Sequence, residues 1–99
     1  MGPQVLHEDP SNGVLAYERV GEGVARLVVV VNCGTLLWQA GEYGVGVGGG
    51  GGERFEEVFS SLGREGGASG NAGAPLASTR NGALHIGLPP QTTLFFRQV

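Results

Sequence analysis

Apolar and polar residues alternate along several short stretches of the chain, as they do in β-strands that bury one face. Residues 14–20 alternate in this way, whereas residues 25–31 are apolar on both faces. The second pattern predicts a strand at the centre of its sheet. A glycine-containing turn separates the two stretches, so they predict a hairpin, with residues 28–31 as the strongest candidates for the core.

The C-terminal part of the chain contains a second set of strand signals. Asn81-Gly82 is the strongest turn signal in the sequence, and it separates residues 75–79 from the alternating residues 83–88. These features predict another hairpin, which ends at Pro89-Pro90. Residues 92–99 are rich in β-branched and aromatic side chains and predict a closing strand.

The middle of the chain is less regular. Residues 35–40 predict an edge segment or a bulged strand with Trp38 half-buried. Residues 42–47 predict a short strand, and residues 48–52 a glycine loop. Residues 53–62 support two interpretations: the spacing of their apolar side chains favours a short amphipathic helix, whereas alternation would make them a strand. Residues 63–75 contain little that could be buried and predict a long loop.

Length and composition favour one packed β domain. The chain has 99 residues, of which 40% are hydrophobic and 15% charged, and it contains 20 glycines. Residues 1–13 predict an irregular lead-in segment, so that strands begin only after Gly13. We expect residues 14–99 to form a single all-β domain of six to eight strands. Its expected core residues are Val28, Val30, Leu84, Ile86, Leu94 and Phe96.

Charge and hydropathy exclude several functions. Six arginines and nine acidic residues give a formal net charge of −3, so nucleic acid is not an expected partner. The longest aliphatic run, residues 27–31, is far shorter than a membrane helix, and the N-terminus lacks the layout of a signal peptide. Cys33 is the only cysteine, so no internal disulfide can form. We expect a soluble protein of the cytoplasm or a plastid rather than a secreted one.

The usual residue patterns of catalytic and cofactor sites are missing. Asp9 is the only aspartate, and Glu53, Glu56 and Glu57 adjoin a glycine run that could not hold an acid/base geometry. Residues 44–49 match G-x-G-x-x-G, but a tract so rich in glycine matches by chance. We therefore expect no catalytic residue, no cofactor and no metal. The possible metal ligands are scattered along the sequence: His7, Cys33 and His85.

Two aromatic residues keep carbohydrate binding among the candidate functions. An exposed Trp or Tyr ring can stack on a sugar ring without any charge. Trp38 and Tyr43 are the candidate sugar-binding residues, although aromatic side chains are more often packing residues. A free-standing carbohydrate-binding module would have one of these rings exposed on a flat face.

Four ordered stretches of the chain resemble one family of domains. They read VLAYERVGEGVARLVVVVNCG from residue 14, EYGVGV from residue 42, ERFEEVFSSLGREGGASGNAG from residue 53 and ALHIGLPPQTTLFFRQV from residue 83. In this order they resemble the all-β C-terminal domain of the α-amylase superfamily. The middle stretches are most similar to the version in 1,4-α-glucan (starch or glycogen) branching enzymes. Cys33, Ser60-Ser61 and Glu65 depart from the family pattern.

The resemblance implies both a fold and a role. The fold is an antiparallel two-sheet β-sandwich of Greek-key type, in which residues 53–59 form a strand. In such enzymes the catalytic carboxylates belong to a (β/α)₈ barrel, and the C-terminal domain packs on the barrel's flank. The chain is then a non-catalytic accessory domain whose partners are a catalytic barrel and α-glucan, with an exposed apolar patch on one sheet. A repurposed sandwich that binds a partner protein through an edge strand is the third hypothesis.

Overall fold

The computed structural model describes residues 4–19, 26–48, 51–61 and 76–99. Every regular element in these ranges is a β-strand, so the prediction of an all-β fold is confirmed. The predicted loop at residues 63–75 and the turn at residues 21–23 lie outside the described residues. The eight strands are β1 (Gln4–Asp9), β2 (Val14–Arg19), β3 (Leu27–Asn32), β4 (Trp38–Gly46), β5 (Arg54–Ser60), β6 (Leu76–Ala77), β7 (Ala83–Leu88) and β8 (Thr92–Gln98).

The strands form two antiparallel sheets. The larger sheet has the order β1-β2-β3-β8-β5-β6, and the smaller sheet pairs β4 with β7. The predicted hairpin of β2 and β3 is confirmed, since Val14 lies opposite Asn32 and Arg19 opposite Leu27. The position of β3 between β2 and β8 agrees with its apolar residues on both faces.

The core lies between the two sheets. The larger sheet contributes side chains from β2, β3, β5 and β8, and the smaller sheet contributes side chains from both of its strands. All six expected core residues are fully buried. This cluster includes Val28, Val30, Leu94 and Phe96 from the larger sheet and Val45, Leu84, Ile86 and Leu88 from the smaller sheet.

Arg26 connects the two sheets at one end of the core. Its guanidinium group forms an ion pair with Glu18 on β2 and donates a hydrogen bond to the carbonyl oxygen of Val47, which follows β4. The same group lies 5.7 Å from the centre of the Phe55 ring. Because the side chain of Arg26 is mostly buried, these partners satisfy its charge where water cannot.

The first strand corrects a prediction. Strands were expected to begin only after Gly13, and that is wrong, because Gln4–Asp9 forms β1 and pairs with β2. Pro10 and Asn12 belong to the tight turn between these strands, in which the Asn12 amide donates to the carbonyl oxygen of Asp9 at 3.1 Å. The turn residues therefore mark a connection within the sheet, not an irregular segment.

Residues 54–60 form the strand β5, so the helix favoured by their apolar spacing is wrong and the strand implied by the resemblance is confirmed. The pairing of β5 with β8 is interrupted by a bulge between Glu57 and Phe59. A bulge adds one residue to the strand, here Val58, and shifts the alternation by one position. Phe55 is thus buried while Phe59 is exposed, and the shifted spacing imitates that of a helix.

The turn at Asn81-Gly82 is present, but the hairpin predicted around it is not. The Gly82 amide donates to the carbonyl oxygen of Thr79 at 2.9 Å, and Gly82 has a positive φ of 76°. The strand before the turn, β6, pairs with β5 in the larger sheet, whereas β7 after the turn pairs with β4. The turn therefore carries the chain from one sheet to the other, which local turn chemistry does not reveal.

The two segments predicted at residues 35–40 and 42–47 contribute to one bulged strand, β4, which begins at Trp38. Its pairing with β7 is irregular between Trp38 and Tyr43, and Gly41 within this interval has a positive φ of 81°. Glycine at this position lets the strand continue through a bulge that would strain other residues.

Candidate functional site

The larger sheet carries a continuous row of apolar side chains on the side that faces away from the smaller sheet. This side is the outer face. Directly paired residues in neighbouring strands point to the same side of a sheet. The register places five such residues side by side across five strands, over about 19 Å at a spacing of about 4.8 Å. They form the apolar row: Val5, Tyr17, Val29, Phe95 and Phe59.

The apolar row is packed at its centre and exposed at its ends. Val29 is buried although it does not belong to the core between the sheets, so its neighbours on the outer face cover it. The rings of Phe59 and Phe95 meet edge to face with their centres 5.2 Å apart. Val5 and Phe59 are each 53% exposed. Apolar side chains grouped in this way are typical of a surface that another molecule covers.

A second group of exposed apolar side chains lies in the loop after β3. Leu36 and Leu37 are both more than half exposed. Asn32 holds this loop in place, since its buried side chain donates to the carbonyl oxygens of Leu36 and Pro89 at 3.2 and 2.8 Å. Its amide oxygen also accepts a hydrogen bond from the Gly34 amide at 2.9 Å. The loop is therefore ordered by a buried side chain even though its leucines face solvent.

The structure brings the two predicted sugar-binding residues together. The rings of Trp38 and Tyr43 lie 4.6 Å apart between centres, with 59° between their planes. Trp38 is half-buried and packs against the core, whereas Tyr43 belongs to the core and is only 6% exposed. Tyr43 is therefore too buried to offer its ring face to a sugar, and of the two residues only Trp38 is partly exposed. Carbohydrate binding by this pair stays a prediction.

The hydroxyl group of Tyr43 forms a hydrogen-bonded cluster that the sequence analysis missed. It donates to Asp9 Oδ2 at 2.8 Å and accepts from His7 Nε2 at 2.9 Å, and Asn12 Nδ2 donates to the same Asp9 oxygen at 2.8 Å. The hydrogen bonds from Asn12 and Tyr43 lower the pKa of Asp9. Burial, together with the Asp9 carboxylate, raises the pKa of Tyr43 well above its usual range. The cluster joins β1 to β4, and only recognition of β1 as a strand could have indicated it.

We expect the hydrogen bonds of Tyr43 to make the stability of the chain sensitive to alkaline pH. The folded-state pKa of Tyr43 lies above its unfolded value of about 10, so its stabilisation is complete below about pH 10 and is lost as the pH rises further. Thermal unfolding followed by circular dichroism should show a fall in melting temperature above that pH. Tyr43→Phe should lower the melting temperature at neutral pH by a few degrees and reduce this alkaline fall. Tyr17→Phe is the matched control and should retain it; an unchanged alkaline fall in Tyr43→Phe would contradict the prediction.

The glutamates considered as acid/base candidates have structural partners. Glu53 accepts a hydrogen bond from the Ser78 hydroxyl group at 2.8 Å, which ties the start of β5 to the residue after β6. Glu56 forms an ion pair with Arg97 across β5 and β8. Glu57 also has an interaction partner. The carboxylates of Glu53 and Glu56 therefore connect strands of the larger sheet.

The possible metal ligands occupy separate positions in the fold. His7 contacts Tyr43, His85 is exposed on β7, and Cys33 is exposed after β3. In the part of the chain that the structure describes, no three His, Cys, Asp or Glu side chains are grouped so that they could hold a metal ion. The same ranges contain no helix long and apolar enough to span a bilayer.

In the described residues the fold is a two-layer β-sandwich whose larger sheet carries the apolar row on its outer face. Residues 5–99 match the family model described as alpha amylase, C-terminal all-beta domain. The chain belongs to this family, and the match includes β1. In enzymes of the α-amylase family this domain is a non-catalytic accessory domain that normally sits with a catalytic barrel. No curated protein matches the sequence.

Proposed function

We propose that this chain is the accessory C-terminal domain of an α-glucan-active enzyme similar to 1,4-α-glucan branching enzymes, and that its outer face packs against the catalytic barrel. The observation that carries the proposal is the apolar row across five strands. Domains of this family accompany a catalytic barrel, so a barrel is the expected partner for such a row. The domain would then stabilise the enzyme by shielding apolar surface on both partners.

The energetics favour a contact that depends on attachment to the barrel. Full burial of a large apolar side chain contributes about 1.5–3 kcal/mol, so the half-exposed members of the row would together contribute several kcal/mol. Association of two separate molecules costs about 4–15 kcal/mol in lost translational and rotational freedom. A covalent connection removes most of this cost by raising the effective concentration of the two surfaces. We therefore expect weak binding between separate pieces and a stable contact within one enzyme.

The branching-enzyme part of the proposal rests on the resemblance of residues 43–47 and 66–71 to that group. Contact with α-glucan is a further part, and Trp38 is the less buried of the two candidate sugar-binding residues. Leu36 and Leu37 lie beside it in sequence and extend the exposed apolar surface. Neither part is needed for the packing of the outer face against a barrel.

The proposal predicts which surface substitution weakens docking. The isotope-labelled chain is mixed with catalytic barrels of a branching enzyme and of an α-amylase, each prepared without its own C-terminal domain. We expect the branching-enzyme barrel to attenuate the chain's amide NMR signals, which detects weak binding. Phe59→Glu should reduce the affinity at least about tenfold, because it places a charge in an apolar contact. Leu36→Glu is the matched control, since Leu36 is equally exposed but lies in the loop after β3 and is not part of the apolar row.

The possible outcomes separate the parts of the proposal. Equal binding by Phe59→Glu and the unaltered chain would overturn the outer face as the docking surface. A preference for the α-amylase barrel would overturn the assignment to a branching enzyme. The absence of signal attenuation with either barrel would overturn the accessory role itself.

A further inference from the structure

Three arginines lie along one side of the apolar row. Cross-strand register places Arg19 opposite Leu27, Leu27 opposite Arg97, and Arg97 opposite Glu56. On β2, β3 and β8, each of these residues lies two positions from a member of the apolar row. On β5 the distance is three positions because of the bulge. All of them therefore lie on the outer face. Arg54 lies two residues before Glu56 on β5 and points to the same side. Arg19, Arg54 and Arg97 are named the arginine margin.

The arginine margin is a local excess of positive charge on a chain of net charge −3. It holds half of the six arginines in the sequence, and Glu56 is the acidic residue that the register places among them. Arg19 and Arg54 are exposed, and the Arg97 side chain keeps 52% exposure despite its ion pair with Glu56. These guanidinium groups can therefore reach a second molecule.

The other side of the apolar row has a different character. There the register places Glu8 opposite Leu15, Leu15 opposite Val31, and Val31 opposite Thr93. Glu8 is exposed at the edge of the sheet, and the rest of this row is apolar or neutral. The outer face is thus polarised, with arginines on one side of the apolar row and a carboxylate at the far corner of the other.

We propose that the surface covered by the outer face bears carboxylates opposite the arginine margin, and that these charges set the orientation in which the domain docks. The inference rests on the proposed packing of the outer face against a barrel. Apolar contacts are non-directional, so the apolar row alone would allow the two surfaces to slide or to turn by half a revolution. A half-turn would bring Glu8 towards the carboxylates and remove the arginines from them. Planar pairing of guanidinium and carboxylate groups adds the missing directional constraint.

The test is a salt and charge-reversal series on the same complex. The chain is titrated with the branching-enzyme barrel at about 50 mM and about 500 mM NaCl, concentrations that differ strongly in screening. We expect the affinity to fall about tenfold at the higher salt. The double variant Arg19→Glu/Arg54→Glu leaves the Arg97–Glu56 pair intact, and it should bind at least about tenfold more weakly at the lower salt. Its affinity should rise at the higher salt, because screening weakens the repulsion between the new glutamates and the opposing carboxylates. The control for position is Arg80→Glu, at an exposed arginine in the turn between β6 and β7, and it is compared with the single variant Arg54→Glu, which changes the net charge equally.

Each result decides between the two proposals. Binding that is independent of salt and unchanged in Arg19→Glu/Arg54→Glu would overturn the arginine margin, while sensitivity to Phe59→Glu would still support docking of the outer face. Equal losses of affinity in Arg80→Glu and Arg54→Glu would also overturn it, because net charge rather than position would then be responsible. If the unaltered chain bound no barrel at either salt concentration, the proposed function would fail and this inference with it. Melting temperatures of the variants, expected to stay near that of the unaltered chain, separate docking effects from misfolding.

Discussion

Val30→Asp is expected to abolish cooperative folding of the chain. Val30 is fully buried, and its register partners Ala16 and Leu94 are fully buried on either side of it. An unpaired charge at such a position costs several kcal/mol or forces the side chain into water. The whole free energy of unfolding of a chain of this length is about 5–15 kcal/mol. Circular dichroism should therefore show loss of the β-sheet spectrum and no thermal transition.

Val5→Asp is the matched control for this experiment. It makes the same chemical change on the same sheet, but Val5 is 53% exposed on the edge strand β1. Its thermal transition should remain close to that of the unaltered chain. A Val30→Asp variant with a near-normal transition would mean that β3 does not line the core, and the sandwich described here would be wrong.

Gly34→Ala is expected to have the second largest effect. A Cβ atom at Gly34 would lie 2.2 Å from the carbonyl oxygen of Asn12 and 3.3 Å from Asn32 Oδ1. The first contact is with backbone in the turn between β1 and β2, so no side chain can rotate away to relieve it. A backbone shift that moved residue 34 away from Asn12 would also disturb the hydrogen bond between the amide of residue 34 and Asn32 Oδ1. We expect a loss of about 1–3 kcal/mol or more in urea unfolding, as for other additions to packed sites.

Gly46→Ala tests whether that loss comes from the steric contact. Like Gly34, Gly46 has no positive φ. A Cβ atom at Gly46 would meet only the carbonyl oxygen of Leu6, at 3.9 Å. This variant should unfold at nearly the same urea concentration as the unaltered chain. Similar losses in both variants would contradict the close approach of Gly34 to the Asn12 turn.

The strands that could be predicted are those whose alternation is continuous. In β2, β3 and β8, each residue's side follows from its position, and the buried residues Val28, Val30, Leu94 and Phe96 follow from that rule. In β5 the bulge at Val58 breaks the rule, and the apolar spacing then favours the wrong element. Periodicity is informative only while the strand adds one residue per pairing step.

The candidate sugar-binding residues were likewise only partly predictable from the sequence. Trp38 and Tyr43 could be selected as residue types, but burial of Tyr43 depends on packing between the sheets. The hydrogen bonds of Tyr43 depend on His7 and Asp9, which lie on a strand that the turn signals obscured. The nature of these residues was therefore visible in the sequence, while their availability to a ligand was not.

The sequence by itself determined that the chain is all-β, six of the side chains that line its core, and the family to which it is similar, because these follow from local alternation and from ordered stretches of residues. Only the tertiary structure decided which strands are neighbours. Val5, Tyr17, Val29, Phe95 and Phe59 are separated along the chain, and they form one apolar row only because the sheet order and register bring them side by side. Alternation specifies the side of a strand on which a residue lies, whereas the partner strand is selected by the packing of the whole sandwich.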